Sequence, residues 1–507
     1  VTASTATIVA SFAGSAMGAA TQQNRTTNGA ATTVDGAGFD QTAAQVNAAV
    51  APNAVITANA NNGINFNTPA GSFNGLFLGT ANNLAVTVSA DTTLGFVTNV
   101  ANNGNSFNLT LGAGKTLTIT GQGITNAQAA VTNNAQNVVA QFNGGVAVAN
   151  NDLRGVGAID FGAAASTLVF NLAEPTTQKA PLILGGNAVI ANGVNGTLNV
   201  TNGFIQVSDK SFATVKAINI GDGQGFIFNT NVAAGGNALN LQVGGATINF
   251  NGTDGTGRLV LLSKNGAATD FNVTGSLGGN LKGIIEFNTV AVAGQLIANA
   301  GPANAVIGTN NDAGRAAGFV VSVGNGNAAT ITGQVYAKDM VIQSANAGGQ
   351  VNFGHIVDVG TDGTTAFKTA ASKVAITQNS NFGTTDFGNL AAQITVPDTM
   401  TLTGNFTGNA SNPENTAGVI TFAANGTLAS ASADANVAVT NNITAIEASG
   451  VGVVQLSGTH TAELRLGNAG SVFKLADGTV INGKVNQTAV VGGALAAGAI
   501  TLDGSAT

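Results

Sequence analysis

Short alternations of apolar and polar residues recur along the chain at spacings of about ten residues, a pattern that predicts strands. Leu76 to Leu78, Leu84 to Val88, Leu94 to Thr98, Phe107 to Leu111 and Leu117 to Thr120 open the series. Ala246 to Phe250, Arg258 to Leu261, Phe271 to Val273 and Gly283 to Phe287 continue it, as do Leu464 to Leu466, Val472 to Leu475 and Thr479 to Ile481. Neighbouring side chains of a strand point to opposite faces, so each run has one apolar face and one face of Thr, Asn or a lone charge. Asn-Gly and Asp-Gly pairs fall between the runs, among them those at 192, 222, 254, 325, 425, 477 and 482, where a turn obtains a positive φ at little cost.

Such spacing suits a sandwich, a barrel or a parallel β-helix. Two features favour the last. A chain of 507 residues built of sandwiches needs linked domains, yet it has only 7 Pro and no linker or charge run divides it. Amide and hydroxyl residues at turns also suit stacked coils, in which equivalent polar side chains ladder along the axis while aliphatic ones fill the interior. The expectation is an all-β chain, a right-handed parallel β-helix with coils of roughly twenty to thirty residues. The coils are degenerate, with no copied repeat.

Composition sharpens this. Only 8% of residues are charged, against about 25% in ordinary domains. Asn, Thr and Gly interrupt almost every run that could have become a helix, so long helices should be few. The net charge is −7 and the 16 Lys and Arg are scattered singly, which argues against nucleic-acid binding and against a polybasic membrane anchor. With no Cys in the chain, thiolate metal sites are excluded, and passage through an oxidising periplasm carries no risk of stray disulfides.

Three regions are expected. Residues 1–18 read as the later part of an export signal: Val1 to Ala20 is uncharged and small, and Ala16-Met17-Gly18 suits a signal peptidase cutting between Gly18 and Ala19. The alternatives are a frayed segment or a short buried helix. Residues 19–50 read as an N-terminal cap or poorly ordered segment, and 51–507 as the β-helical part. The strand pattern Ala499 to Gly504 shows no capping helix, which leads to the expectation of a truncated solenoid.

No catalytic, cofactor or metal set is predicted. His355 and His460 lie far apart, and a triad using His355 with Asp358 or Asp339 has no nucleophile motif beside it. Gly478 to Lys484 mimics a phosphate loop but has Val485 where a hydroxyl belongs, and Gly114-Lys115-Thr116 has Leu109 in place of the first Gly. The turns at Asp222-Gly223, Asn251 to Gly255 and Thr361 to Gly363 lack the spacing of calcium loops. Glu286 is the one acidic residue that might point inward from an apolar strand, but an outward Glu is the simpler reading, and no second carboxylate stands near it for a glycosidase pair.

At Ser11 to Gly18, Gln22 to Asn28, Ser263 to Glu286 (SKNGAATDFNVTGSLGGNLKGIIE) and Glu463 to Gly483 (ELRLGNAGSVFKLADGTVING) the chain resembles the rickettsial outer-membrane protein B family of surface-layer autotransporters. The likeness extends over essentially the whole chain. It implies a signal peptide, a long surface passenger exported through the periplasm, and a C-terminal translocator barrel that this sequence does not contain. It also implies an abundant layer of neighbouring copies, an immunogen and virulence factor, and adhesion to and invasion of host cells, with a Ku subunit as a host-surface receptor. It transfers no binding residues. The competing functions are a β-helix carbohydrate-active enzyme, for which 5 Glu, one Tyr and no Trp are thin material, and an inert surface layer. Carboxylates clustered along one groove would favour the enzyme.

Overall fold

Strand after strand pairs in parallel with its counterpart one coil later, the arrangement of a parallel β-helix. The computed structural model describes the chain from residue 24 to residue 503, leaving out 28–31, 36–37, 41–54, 59–63, 67–70, 100–106, 120–155, 231–238, 409–417, 430–439 and some shorter stretches. Residues 1–18, with the predicted cut at Gly18 and Ala19, therefore lie outside the described residues. Contacts divide the chain into two units: residues 1–231 with 244–259, and residues 232–243 with 260–507.

In the first unit, strands stack in three columns. Asn24–Thr27, Val55–Ala58, Gly75–Leu78 and Val97–Asn99 form one. Thr32–Asp35, Ile64–Phe66, Leu84–Val88, Phe107–Leu111, Val156–Asp160 and Val189–Ala191 form the second. The third runs from Gly71–Phe73 and Thr92–Leu94 through Thr116–Ile119, Ser166–Asn171, Gly196–Asn202 and Ala217–Ile220 to Thr247–Phe250. Parallel strands need a crossover between them, and here the other two sides of the coil supply it. In the third column Leu117, Leu168, Leu198, Ile218 and Ile248 stack in register, each no more than 5% exposed. Above Val189–Ala191 the next coil departs from a strand: Lys210–Thr214 is a 3₁₀ turn, and Ser211 Oγ accepts a bond from Ile190 N at 3.0 Å.

The second unit is also three-sided. One side stacks Gly294–Ala298, Ala328–Ile331, Gly349–Phe353, Ser372–Ile376, Gln393–Val396 and Val419–Phe422, then the later parts of Thr440–Ala448 and Thr459–Leu466. Its inward row of Ala329, Val351, Val374, Ile394, Ile420, Ile446 and Leu464 is sealed from solvent. Some strands bend through a corner and serve two sides. Gln334–Ser344 pairs with Val357–Asp358 at its start and Thr364–Lys368 at its end. At another corner three phenylalanines stack along successive coils, Phe367 on Phe387 at 4.7 Å and Phe387 on Phe406 at 6.2 Å.

The turns behave as expected only in part. Gly223, Gly255, Gly326 and Gly478 do take positive φ. Gly363 and Gly483 do not, and are required by space instead: a Cβ would fall 1.9 Å from Val359 O and 1.9 Å from Ala462 O respectively.

Since Phe387 is the middle member of its stack and fully buried, Phe387→Ala is expected to cost about 3–5 kcal/mol. Solenoid stability is set between neighbouring repeats, so amide hydrogen exchange should accelerate in the coils around 367–406 and leave the first unit unchanged. Uniform acceleration across both units would contradict this account.

Candidate functional surface

The outward positions also stack, so each side of a coil carries its polar residues in rows. In the first unit Asn219 Nδ2 donates to Asn199 Oδ1 at 2.7 Å, and Asn249 Nδ2 to Asn219 Oδ1 at 2.8 Å, across coil steps of 20 and 30 residues. In the second unit one outward row runs Gln295, Thr330, Asn352, Ala375, Thr395, Thr421, Glu447, Arg465 and Asn486. Its members bond to neighbours on the same face: Gln350 Nε2 donates to Asn352 Oδ1 at 2.8 Å and Gln393 Nε2 to Thr421 Oγ1 at 2.9 Å. Near the end of the row Glu463 accepts from Arg465 Nε at 2.8 Å and Asn486 Nδ2 at 2.9 Å. Burial opposes the charge of Glu463, but these donors outweigh it and hold the carboxyl below its ordinary range.

The residues singled out for chemistry are not brought together into a reactive set. His355 Nδ1 accepts from Ile356 N at 2.9 Å, a local turn bond. Asp358 is instead engaged with Arg315, a residue 43 positions away that the sequence did not flag. Arg315 Nη2 meets Asp358 Oδ2 at 3.0 Å, Nη1 donates to the Asp358 carbonyl, and Nε meets Asp312 Oδ1 at 3.2 Å. The guanidinium also lies 5.9 Å from the Tyr336 ring centroid. A planar fork of donors fits this site, and it clamps two coils at a corner. Asp339 accepts from Thr364 Oγ1 at 2.7 Å on the outer surface. His460 is fully buried, with Nε2 3.0 Å from Ser457 O, and burial pushes its pKa down to about 4.

Glu286 needs a correction of detail. Phe287 packs inward against Phe271, so strand alternation turns Glu286 to the opposite face, yet it is only 3% exposed. Its Oε1 accepts from Asn288 Nδ2 at 3.0 Å and Ser322 Oγ at 3.3 Å. The outward direction expected from the sequence holds, and the solvent exposure that direction suggested does not.

Two of the Asp-Gly turns do meet. Asp222 Oδ2 accepts from Thr253 N at 2.6 Å and Asp254 N at 2.9 Å, and the Asp254 N–H leads the donors that hold the carboxyl below its ordinary range. Gly252 has no room for a Cβ, which would sit 1.9 Å from Asp222 Oδ1. The carboxylate thus faces a nest of N–H donors, the reverse of a cation site. Among the described residues no group of three or more His, Asp or Glu is placed to hold a metal. Both phosphate-loop mimics run into strands, Thr116–Ile119 and Val485–Gln487, where a helix N-terminus is needed to cradle the phosphates. Among the described residues no helix is long and apolar enough to cross a membrane.

The family described as Rickettsia outer membrane protein B, passenger domain, matches residues 321–507. Over all 507 residues the chain is 88% identical to outer membrane protein B of Rickettsia japonica, 86% identical to that of Rickettsia rickettsii and 71% identical to that of Rickettsia typhi. In each case the match covers 100% of this chain and 31% of the relative. No solved structure matches the chain.

Two expectations follow from the geometry. Between pH 6.5 and about 4 the unfolded chain binds a proton at His460 that the folded chain refuses. Stability from this residue is therefore complete above pH 6.5 and falls as pH drops through that window, by on the order of 3 kcal/mol in all. Urea midpoints of the coils around 456–482 should show the fall, and His460→Met should flatten it; an unchanged pH slope in the variant would remove His460 as the cause. Arg315→Ala is expected to cost about 1.5–3 kcal/mol locally, because it removes charge-assisted hydrogen bonds to Asp358. Arg315→Lys should recover only part of that, as an ammonium has no fork, and full recovery in chemical denaturation would argue against the forked contact.

Proposed function

From the premise that the chain belongs to the rickettsial outer membrane protein B family, as a surface autotransporter passenger segment located at the outer membrane, we propose that it works as a non-enzymatic adhesive coat. It spans about a third of the length of the curated relatives it matches, 31%, so the activity of the whole protein is part of the proposal. The observation that carries it is the outward row from Gln295 to Asn486. Polar side chains recur along this row with Ala375 as its one apolar break, offering one extended contact face in place of a pocket. Each contact is weak, and many of them engaged at once give avidity. The partners proposed are host cell-surface proteins, with the Ku subunit implied by the family resemblance as the first to test, and neighbouring copies in a layer. Roles as immunogen, virulence factor and invasin belong to the same proposal.

The test is to coat beads with the full chain at graded density and count those attached to and carried into cultured cells, with and without soluble Ku subunit. Multivalent adhesion predicts attachment that rises more steeply than coat density, with soluble receptor competing. Beads that attach no better than albumin-coated ones would sink the adhesive reading and leave an inert layer. Release of reducing sugar from host-surface glycans would instead favour the carbohydrate-active enzyme.

A further inference from the structure

We propose that Asn325-Gly326 is a self-modifying site, where the folded chain spontaneously deamidates an exposed asparagine to aspartate and isoaspartate. The structure sorts the described Asn-Gly pairs by how firmly each is held. Asn192 Nδ2 donates to Asp160 Oδ1 at 2.7 Å, Asn195 Nδ2 to Gly162 O at 2.7 Å, and Asn202 Nδ2 to Leu172 O. Asn425 is held at both ends, donating to Asp398 Oδ1 at 2.9 Å and accepting from Val453 N at 2.9 Å. Asn251 and Asn482 are followed by glycines wedged against a neighbour, where even a Cβ would come within 1.9 Å of Asp222 Oδ1 or Ala462 O.

Asn325 differs from all of these. It is exposed, and among the described residues its side-chain amide and the Gly326 N–H make no hydrogen bond. Gly326 has φ 71° and nothing within 4 Å of the position a Cβ would take. The flanks of the turn stay fixed: Asn327 N donates to Gly324 O at 3.2 Å, and Asn327 Nδ2 to Thr289 O and Val290 O at 3.0 Å each. The Asn325 carboxamide and Gly326 N lie beside Gly348, where a Cβ would come 2.9 Å from Asn325 Oδ1 and 4.0 Å from Gly326 N; among the described residues no hydrogen bond ties down the peptide between Asn325 and Gly326, while its flanks are held.

The chemistry needs only water and a base. Gly326 N, on losing its proton to base, attacks Asn325 Cγ, a C–N bond forms, and the side-chain nitrogen leaves as ammonia with a proton returned from solvent. Water then opens the cyclic imide at either carbonyl, giving aspartate or a backbone routed through the side chain. The net change is one water consumed, one ammonia released, and a new negative charge at a coil corner.

The full chain, incubated at mildly alkaline pH and body temperature, digested and followed by mass spectrometry, tests this through a gain of about one dalton per site. Asn325 should convert at least about tenfold faster than Asn202 and Asn425, about 1.4 kcal/mol of barrier, and the gap should collapse in concentrated urea. Equal rates in the folded chain would overturn the proposal. So would a gap that persists in urea, since local sequence rather than the fold would then set the rate.

Discussion

Everything in this fold depends on the backbone of each coil being satisfied by the coils on either side of it. Backbone N–H and C=O groups must be paired when buried, and in a parallel ladder the partner of a residue is its counterpart one coil later. A slip of one position would exchange the apolar and polar faces of the whole strand. The inward row from Ala329 to Leu464 in the second unit and the outward asparagines 199, 219 and 249 in the first are two products of that one constraint. Coil length is free to vary as long as register is kept. Asn108 to Thr110 pair one to one with Ala158 to Asp160 although residues 120–155 fall between their strands, after a one-residue bulge at Gly157 that follows the pair Phe107 and Val156.

The corners are where the constraint is hardest to meet, because the chain must turn without leaving orphan polar groups. Some corners use space, as at Gly363 and Gly483. Others use a side chain as a surrogate for the ladder: Asp222 takes the N–H groups of the next turn, and Arg315 takes the carbonyl and carboxylate of Asp358. Of these two charges Arg315 is buried, and a buried charge is tolerable only when fully engaged. A chain with so few charges thus places at least these two as ties between coils.

Much of this was legible beforehand. Leu84 to Val88 and Phe107 to Leu111 are strands with the bounds the alternation gave, and Val472 to Leu475 extends by one residue to Ser471. The parallel β-helix followed from strand spacing, length and turn chemistry together, and the family from long, idiosyncratic stretches. The allocation of strands to three sides was not legible, because coils of uneven length leave no period to read. Where the next coil has the 3₁₀ turn Lys210–Thr214 in place of a strand, the Ser211 hydroxyl accepts from Ile190 N as a ladder carbonyl would, a substitution that has no local signature. Arg315 and Asp358 were unconnected on paper, since a clamp across 43 residues has no local signature. The burial of Glu286 was missed for the same reason, since strand alternation reports which face a side chain takes and is silent on what covers that face.

The chemistry of the outer rows bears on how the proposed contact surface would bind a partner. An asparagine in the ladder already donates to its neighbour, so a partner meets only the remaining amide hydrogen and carbonyl lone pair. A net gain of about 1 kcal/mol per neutral hydrogen bond makes any one coil a poor anchor. A partner that spans several coils gains by addition, and because the row is fixed by the backbone ladder, little conformational entropy is lost in aligning it. Rigidity of register, which the fold requires for its own stability, is thereby also what would let weak contacts sum in the proposed adhesion.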